Sequence, residues 1–180
     1  SRGLGDVYKR QGVAIQQSNW TATTNNIVEV NENLCHYLGA VLGKAIEPSN
    51  ILAIREEDVE PADMLFTSPL CQPWASGGQG KGWRDPRSQT FLAAIRYAQY
   101  LDKKGSLKVV VYENTTRILS SIQHREPGFD RIKREWNEHM EEWTMLEPWD
   151  LRGLDFLHPL LRHRCFMVSV PKVFRDVLTV

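Results

Sequence analysis

Met64-Leu65-Phe66-Thr67-Ser68-Pro69-Leu70-Cys71-Gln72-Pro73-Trp74 is the stretch from which the fold of this chain can be read. Residues 64–67 are apolar or β-branched, with Pro61 before them and Pro69 after them, which predicts a short strand punctuated at both ends. The strand leads to a cysteine. Residues 72–88 are rich in Gly, Ser, Gln and Pro and read as a loop, long enough to suggest a functional one. Phe91, Ala94, Ile95, Ala98 and Leu101 then recur at helical spacing, and Gly105 closes that helix. Val109-Val110-Val111-Tyr112 is a β-branched run, hence a second buried strand. Strand, helix and strand in this order predict an α/β fold with a largely parallel sheet.

Working outward, Ile27-Val28-Glu29-Val30 reads as a buried strand, Leu34 to Leu42 as a helix ended by Gly43, and Ile51 to Ile54 as a weaker strand. Downstream, Phe129, Ile132, Trp136, Met140 and Trp143 trace an amphipathic helix. Leu151, Leu154 and the run Cys165 to Val170 read as strands again. Function in such sheets gathers at the C-terminal ends of the strands. Three polar signals fall there: Glu29, Cys71 and the pair Glu113-Asn114.

The 180 residues suffice for one domain with a core, and 42% hydrophobic and 24% charged residues are ordinary for a globular protein. The formal net charge is zero, so composition gives no support for a polyanionic partner. No apolar run approaches the roughly 18 residues of a membrane span, and no secretory signal is visible. Cys35, Cys71 and Cys165 lack C-x-x-C spacing, which argues against a disulfide framework or a metal site and fits a reducing cytoplasm. Asp6-Val7-Tyr8-Lys9-Arg10-Gln11 resembles the translation of a transposon adapter used in sequencing libraries. Residues 1–11 are therefore set aside, and 12–180 are read as part of a catalytic domain.

Most cysteines are inert small hydrophobes, because few sites offer the partly exposed, electropositive setting of a reactive thiol. Cys71 has an unusual setting, between a strand and a glycine-rich loop and flanked by prolines. Glu113 reads in two ways. It can be a solvated carboxylate near a helix start, where Asn114 or Thr115 would serve equally well. Placed directly after an apolar strand, it can also exchange a proton with a substrate at the sheet's active edge.

Ser68-Pro69-Leu70-Cys71-Gln72-Pro73-Trp74 resembles the catalytic motif of the cytosine-C5 methyltransferases, whose common form is Pro-Pro-Cys-Gln-Pro-Phe. Gly78-Gln79-Gly80-Lys81-Gly82-Trp83-Arg84-Asp85-Pro86-Arg87 looks like the family's glycine-rich loop ending in Asp-x-Arg. Glu113-Asn114 is similar to its Glu-Asn-Val motif, and Pro159-Leu160-Leu161-Arg162-His163-Arg164 to its Pro-Gln-x-Arg-x-Arg motif. Val28-Glu29-Val30-Asn31 looks like the segment whose acidic residue holds the ribose of S-adenosylmethionine. The order of these motifs extends the resemblance over residues 12–170.

The resemblance implies a Rossmann-like, S-adenosylmethionine-dependent methyltransferase fold, with a mostly parallel sheet and an antiparallel C-terminal strand. It implies catalytic roles for Cys71, Glu113, Arg162 and Arg164, and cofactor contacts from Glu29, Val30 and Pro69. Cysteine suits the chemistry, because cytosine C5 becomes nucleophilic only after a thiolate adds to C6. Glu113 would contact N3 and the exocyclic amine, Arg164 would hold O2, and Arg162 would support the site. Alternate strand residues share a face, so the two arginines would project together and His163 away from them. The target base must leave the duplex, and residues 75–88 would close over it, using Gly77, Gly78, Gly80 and Gly82 for backbone freedom. The implied partner is double-stranded DNA, with no metal and no membrane. The implied setting is the cytoplasm, for a monomer encoded by a bacterium or a phage, within a restriction-modification system.

Several departures stand out. The family's first motif, Phe-x-Gly-x-Gly, is absent, and Gly12 to Trp20 resembles the helix that follows it, as in a truncated gene fragment. Leu70 stands where the motif has proline, Thr115 where it has valine, and Leu160 where it has glutamine. The acidic adenine contact is open: spacing puts Ala53 there, with Asp58 and Asp63 nearby. The family's target-recognition domain would follow Val180, so the polymer and its target sequence stay open. Two alternatives remain: a transfer-RNA methyltransferase of the same fold, and a catalytically silent DNA-binding or regulatory module. A cysteine hydrolase would need a histidine base, and none of the five histidines lies in a motif that nominates one.

Overall fold

In the computed structural model, residues 26–75, 80–121, 126–152 and 163–175 are described. The chain divides into two compact units, residues 1–60 and 61–180. The segment set aside as an adapter lies outside the described residues, as does Leu154.

The first unit contains helix α1, Glu32–Leu42. Asn31 caps it by accepting the Leu34 N–H at 3.1 Å, and Gly43 ends it in the left-handed conformation at φ 66°, which a side chain would strain. Residues 27–30 form no strand, against the expectation. A strand needs a ladder partner; here the Glu29 carbonyl accepts from Ser49 N–H at 2.7 Å and from the Cys35 thiol at 3.5 Å, and no ladder forms. Residues 51–54 are not a strand either. Asn50 accepts from Leu52 N–H with its side chain (3.0 Å) and from Ala53 N–H with its carbonyl (2.8 Å), and this local turn outcompetes a short apolar run.

The second unit holds the sheet. Strand β1 is Met64–Thr67, α2 is Gln89–Lys103, and β2 is Val109–Asn114. β1 and β2 pair in parallel, so the expected β–α–β unit forms around the cysteine loop. Helix α3, Gly128–His139, leads to β3 (Trp143–Met145), β4 (Trp149–Arg152) and β5 (His163–Pro171). The C-terminal strand β5 runs antiparallel to β2 on one edge and to β3 and β4 on the other. The α/β class and the antiparallel C-terminal strand agree with the sequence.

One face of the sheet is sealed. Val110 and Tyr112 of β2 and Cys165, Met167 and Ser169 of β5 alternate onto it, and all are buried. Phe91, Ala94, Ile95, Ala98 and Leu101 form the buried side of α2, as their spacing predicts. Aromatic rings run through this layer, Phe91 to Tyr112 to Trp136 to Trp143, with centroids 6.5, 5.8 and 6.3 Å apart. Trp143 belongs to β3 rather than to a longer α3. Its helical spacing from Trp136 and Met140 coincides with a shared core: the chain turns after Met140, and Trp143 still packs on Trp136 and donates to Asp102 at 3.0 Å.

Candidate active site

Cys71 follows β1 at the C-terminal edge of the parallel pair, the position the pattern indicates. Its carbonyl accepts from Trp74 N–H (3.0 Å) and Ala75 N–H (2.9 Å), which folds residues 71–75 into a tight turn. Cys71 is half-buried, whereas Cys35 and Cys165 are buried. Burial, with Glu29 next in weight, raises the Cys35 thiol pKa. Burial, helped by Asp150 and Glu113, pushes Cys165 up to about 12. Of the three thiols, Cys71 is the one a reactant can reach.

The segment before Cys71 is tied to the end of β2 at two successive residues. Ser68 Oγ donates to Glu113 Oε2 at 2.5 Å, and Asn114 Nδ2 donates to Pro69 carbonyl at 2.8 Å. Glu113 and Asn114 are the last residues of β2 rather than residues beyond it, because β5 continues the ladder through Phe166 and Cys165. Glu113 is 3% exposed. Arg164 of β5 comes to it from the other side, with Nε 2.6 Å from Oε1. Glu113 Oε1 nevertheless accepts no aligned hydrogen bond among the described residues, so this contact is an ion pair that leaves a lone pair available.

The structure thus joins Pro69, Glu113 and Arg164 with the arm that carries Cys71. Arg162 lies outside the described residues. His163 is exposed and faces away from Glu113, 3.7 Å from Asp150. Glu29 and Val30 belong to the first unit. Glu29 Oε1 accepts from Asn31 N–H at 2.8 Å just ahead of α1, and Val30 is 63% exposed. Neither acidic candidate for the adenine contact is uncommitted. Asp58 is held by Arg55 at 3.0 and 3.1 Å, a pairing that lowers its pKa. Asp63 pairs with Lys108 at the opposite end of the strands from Cys71.

The described residues of the loop after Cys71 are held by contacts within the loop. Residues 76–79, including Gly77 and Gly78, lie outside the described residues, but 82–84 and 86–88 form single 3₁₀ turns. Asp85 and Arg87 pair through two side-chain bonds, 2.9 and 2.6 Å. Trp74 is 1% exposed and sits edge-on to Trp83 and Phe91. It also packs against Gly128, where a Cβ would come within 2.7 Å of Ile118 Cγ1 and 2.8 Å of Trp74 Cε2, so only glycine fits. A cavity of about 260 Å³ beside this loop is lined by Trp83, Arg84 and Arg131 and includes neither Cys71 nor Glu113. Sequence reasoning assigned no role to Ser68 or Thr90. Their signal was weak, because hydroxyl residues are common at strand exits and helix starts. Among the described residues, no three His, Cys, Asp or Glu side chains cluster as a metal site, and no helix is long and apolar enough to cross a membrane.

The family model for C-5 cytosine-specific DNA methylases matches residues 14–175. The chain belongs to this family. Two solved structures share the methylase's fold. One, described as a DNA modification methyltransferase encoded within an E. coli prophage, has a TM-score of 0.62 at 17% identity, covering 82% of this chain and 40% of that one. The other, the Dnmt2 methyltransferase of S. pombe, also has a TM-score of 0.62, at 18% identity, covering 93% of this chain and 46% of that one. The methylase chain therefore spans less than half the length of either neighbour. No curated protein matches it at a significant level.

Proposed function

We propose that this chain carries the catalytic centre of a DNA (cytosine-5-)-methyltransferase in which Cys71 is the covalent nucleophile. The observation that carries the reading is the tie between the Cys71 arm and the buried Glu113, with Arg164 on the same carboxylate. Cys71 thiolate attacks C6 of a flipped cytosine and forms a C–S bond, which moves electron density to C5. When the base enters, Arg164 turns from Oε1 to the base, and Glu113, still fixed through Oε2, takes up a proton from solvent, meets N3 and the exocyclic amine, and gives that proton to N3 as charge develops on the ring. Arg164 holds the base's O2, and the role given to Arg162 is to support the site. After methylation the C5 proton passes to solvent and the N3 proton returns to Glu113, which restores the C5–C6 double bond and expels Cys71 as the thiolate. Flipping the base costs a few kcal/mol, which contacts to the extruded base must offset.

Methyltransferases of this kind use S-adenosylmethionine, which supplies the methyl group as an electrophile. The residues present fit it: Glu29 has one carboxylate oxygen fixed by Asn31 N–H and the other suited to ribose hydroxyls, with exposed apolar Val30 next to it. Pro69 would border the methyl donor near Cys71. We propose that the enzyme, encoded by a bacterium or a phage, acts as a cytoplasmic monomer on double-stranded DNA, with a role in restriction-modification.

The test is covalent trapping. Incubated with S-adenosylmethionine and DNA carrying 5-fluorocytosine, which cannot release the adduct, the protein should form a gel-stable complex that Cys71→Ser abolishes. A complex formed only with 5-fluorocytosine-substituted transfer RNA would reassign the polymer. No complex with either, in a protein that binds the cofactor, would make this a silent module.

A further inference from the structure

The arm between β1 and Cys71 is held at a third point. Leu70 N–H, one residue before the cysteine, donates to Thr90 Oγ1 at 3.3 Å. Thr90, in the first turn of α2, in turn donates from Oγ1 to Arg87 carbonyl at 2.8 Å. Arg87 is itself clamped by Asp85. The single hydroxyl thus accepts from the arm and donates to a turn that the Asp85 side chain caps. A proline at position 70 would fix φ near −65° and carry no N–H. Leucine provides neither constraint, and it adds a donor that must find a partner beside a half-buried thiol.

We propose that Thr90 is a positioning residue that braces the Cys71 arm through Leu70 N–H, doing by hydrogen bond what a proline ring would do covalently. Its catalytic importance rests on the assignment of Cys71 as nucleophile; the bracing itself does not. Displacing a reacting atom by about 1 Å can cost around 100-fold in rate, so a brace one residue from the nucleophile has leverage.

Thr90→Val removes both hydrogen bonds at nearly constant volume, and Thr90→Ser keeps them. The first readout needs no turnover: the rate at which a disulfide reagent modifies Cys71 in the native 180-residue chain, with the site identified by peptide mass. Thr90→Val should raise this rate several-fold and Thr90→Ser should restore it. The second readout is trapping on 5-fluorocytosine DNA. There Thr90→Val should slow adduct formation roughly tenfold with unchanged DNA affinity. In a Leu70→Pro background, where the N–H is gone, Thr90→Val should change neither rate. Equal labelling of wild type and Thr90→Val overturns the proposal, and so does an effect of Thr90→Val that persists undiminished in the Leu70→Pro background. If Leu70→Pro fails to fold, the valine and serine variants alone decide. If the wild type forms no adduct, the functional reading fails while labelling still tests the brace.

Discussion

Two buried carboxylates of the second unit, Asp85 and Glu113, face arginines, and they are used in opposite ways. Asp85, 4% exposed, accepts from Arg87 N–H (3.1 Å) and Nε (2.9 Å) through Oδ1 and from Nη2 (2.6 Å) through Oδ2. All three donors belong to one residue two positions away, so the pair closes on itself and shapes a turn. Glu113, 3% exposed, draws its partners from distant strand ends. Ser68 binds Oε2, and Arg164 neutralises Oε1 without an aligned hydrogen bond. A carboxylate with every oxygen committed builds structure. One whose outer oxygen lacks a directed donor, at the C-terminal edge of a sheet and tied to the arm that leads to a half-buried thiol, is left able to meet a substrate.

The sharpest way to break this contrast is Glu113→Gln. Glutamine keeps the volume and can still accept from Ser68, but it has no proton to give. Methyl transfer should fall by about 10²–10⁴-fold with the melting temperature nearly unchanged. Retention of more than about a tenth of the activity would put Glu113 in the same structural class as Asp85. Ser68→Ala is a finer probe, since it frees Oε2 while leaving the carboxyl in place. A drop of roughly tenfold in kcat with KM for DNA unchanged is expected, the size of one lost charge-assisted hydrogen bond. A change in KM alone would mean that Ser68 contributes to binding rather than to the aim of Glu113.

Parts of this arrangement were legible in the residues. β1, α2 and β2 announce themselves because local periodicity and proline or glycine punctuation suffice to define them. The motif order named Cys71, Glu113 and Arg164, and the structure brings Arg164 to Glu113. What could not be read is non-local. The meeting of Arg164 with Glu113 depends on the β2–β5 register, which pairs Glu113 with Phe166. Ser68 and Thr90 find partners 45 and 20 residues away, and a lone hydroxyl carries no periodic signal. Residues 27–30 and 51–54 read as strands for a related reason: a strand is defined by its neighbour, which 27–30 lack, and at 51–54 the turn at Asn50 satisfies the backbone first.

The smallest expected effect is at Asp85, and it concerns stability rather than turnover. The Arg87 hydrogen bond pulls the Asp85 carboxyl down to about 2 from a reference of 3.8. A carboxyl depressed in the folded state binds its proton more readily when unfolded. Its stabilisation is therefore fully present above about pH 4 and is lost as pH falls towards 2. Asp85→Asn lacks that titration. Wild type should be the more stable near pH 5, and its advantage should shrink steadily between about pH 4 and pH 2. Urea unfolding midpoints of the two proteins across this range give the difference directly. Other low-titrating carboxylates, Asp58 and Glu126 among them, are common to both and cancel. Activity at neutral pH should be nearly retained, since Arg87 is 45% exposed and can be solvated once its partner is neutral. A gap that stays constant down to pH 2 would remove the Asp85–Arg87 pair as its source. A loss of activity as deep as that of Glu113→Gln would show that the turn to which Thr90 is bonded acts on the thiol far more strongly than a brace should.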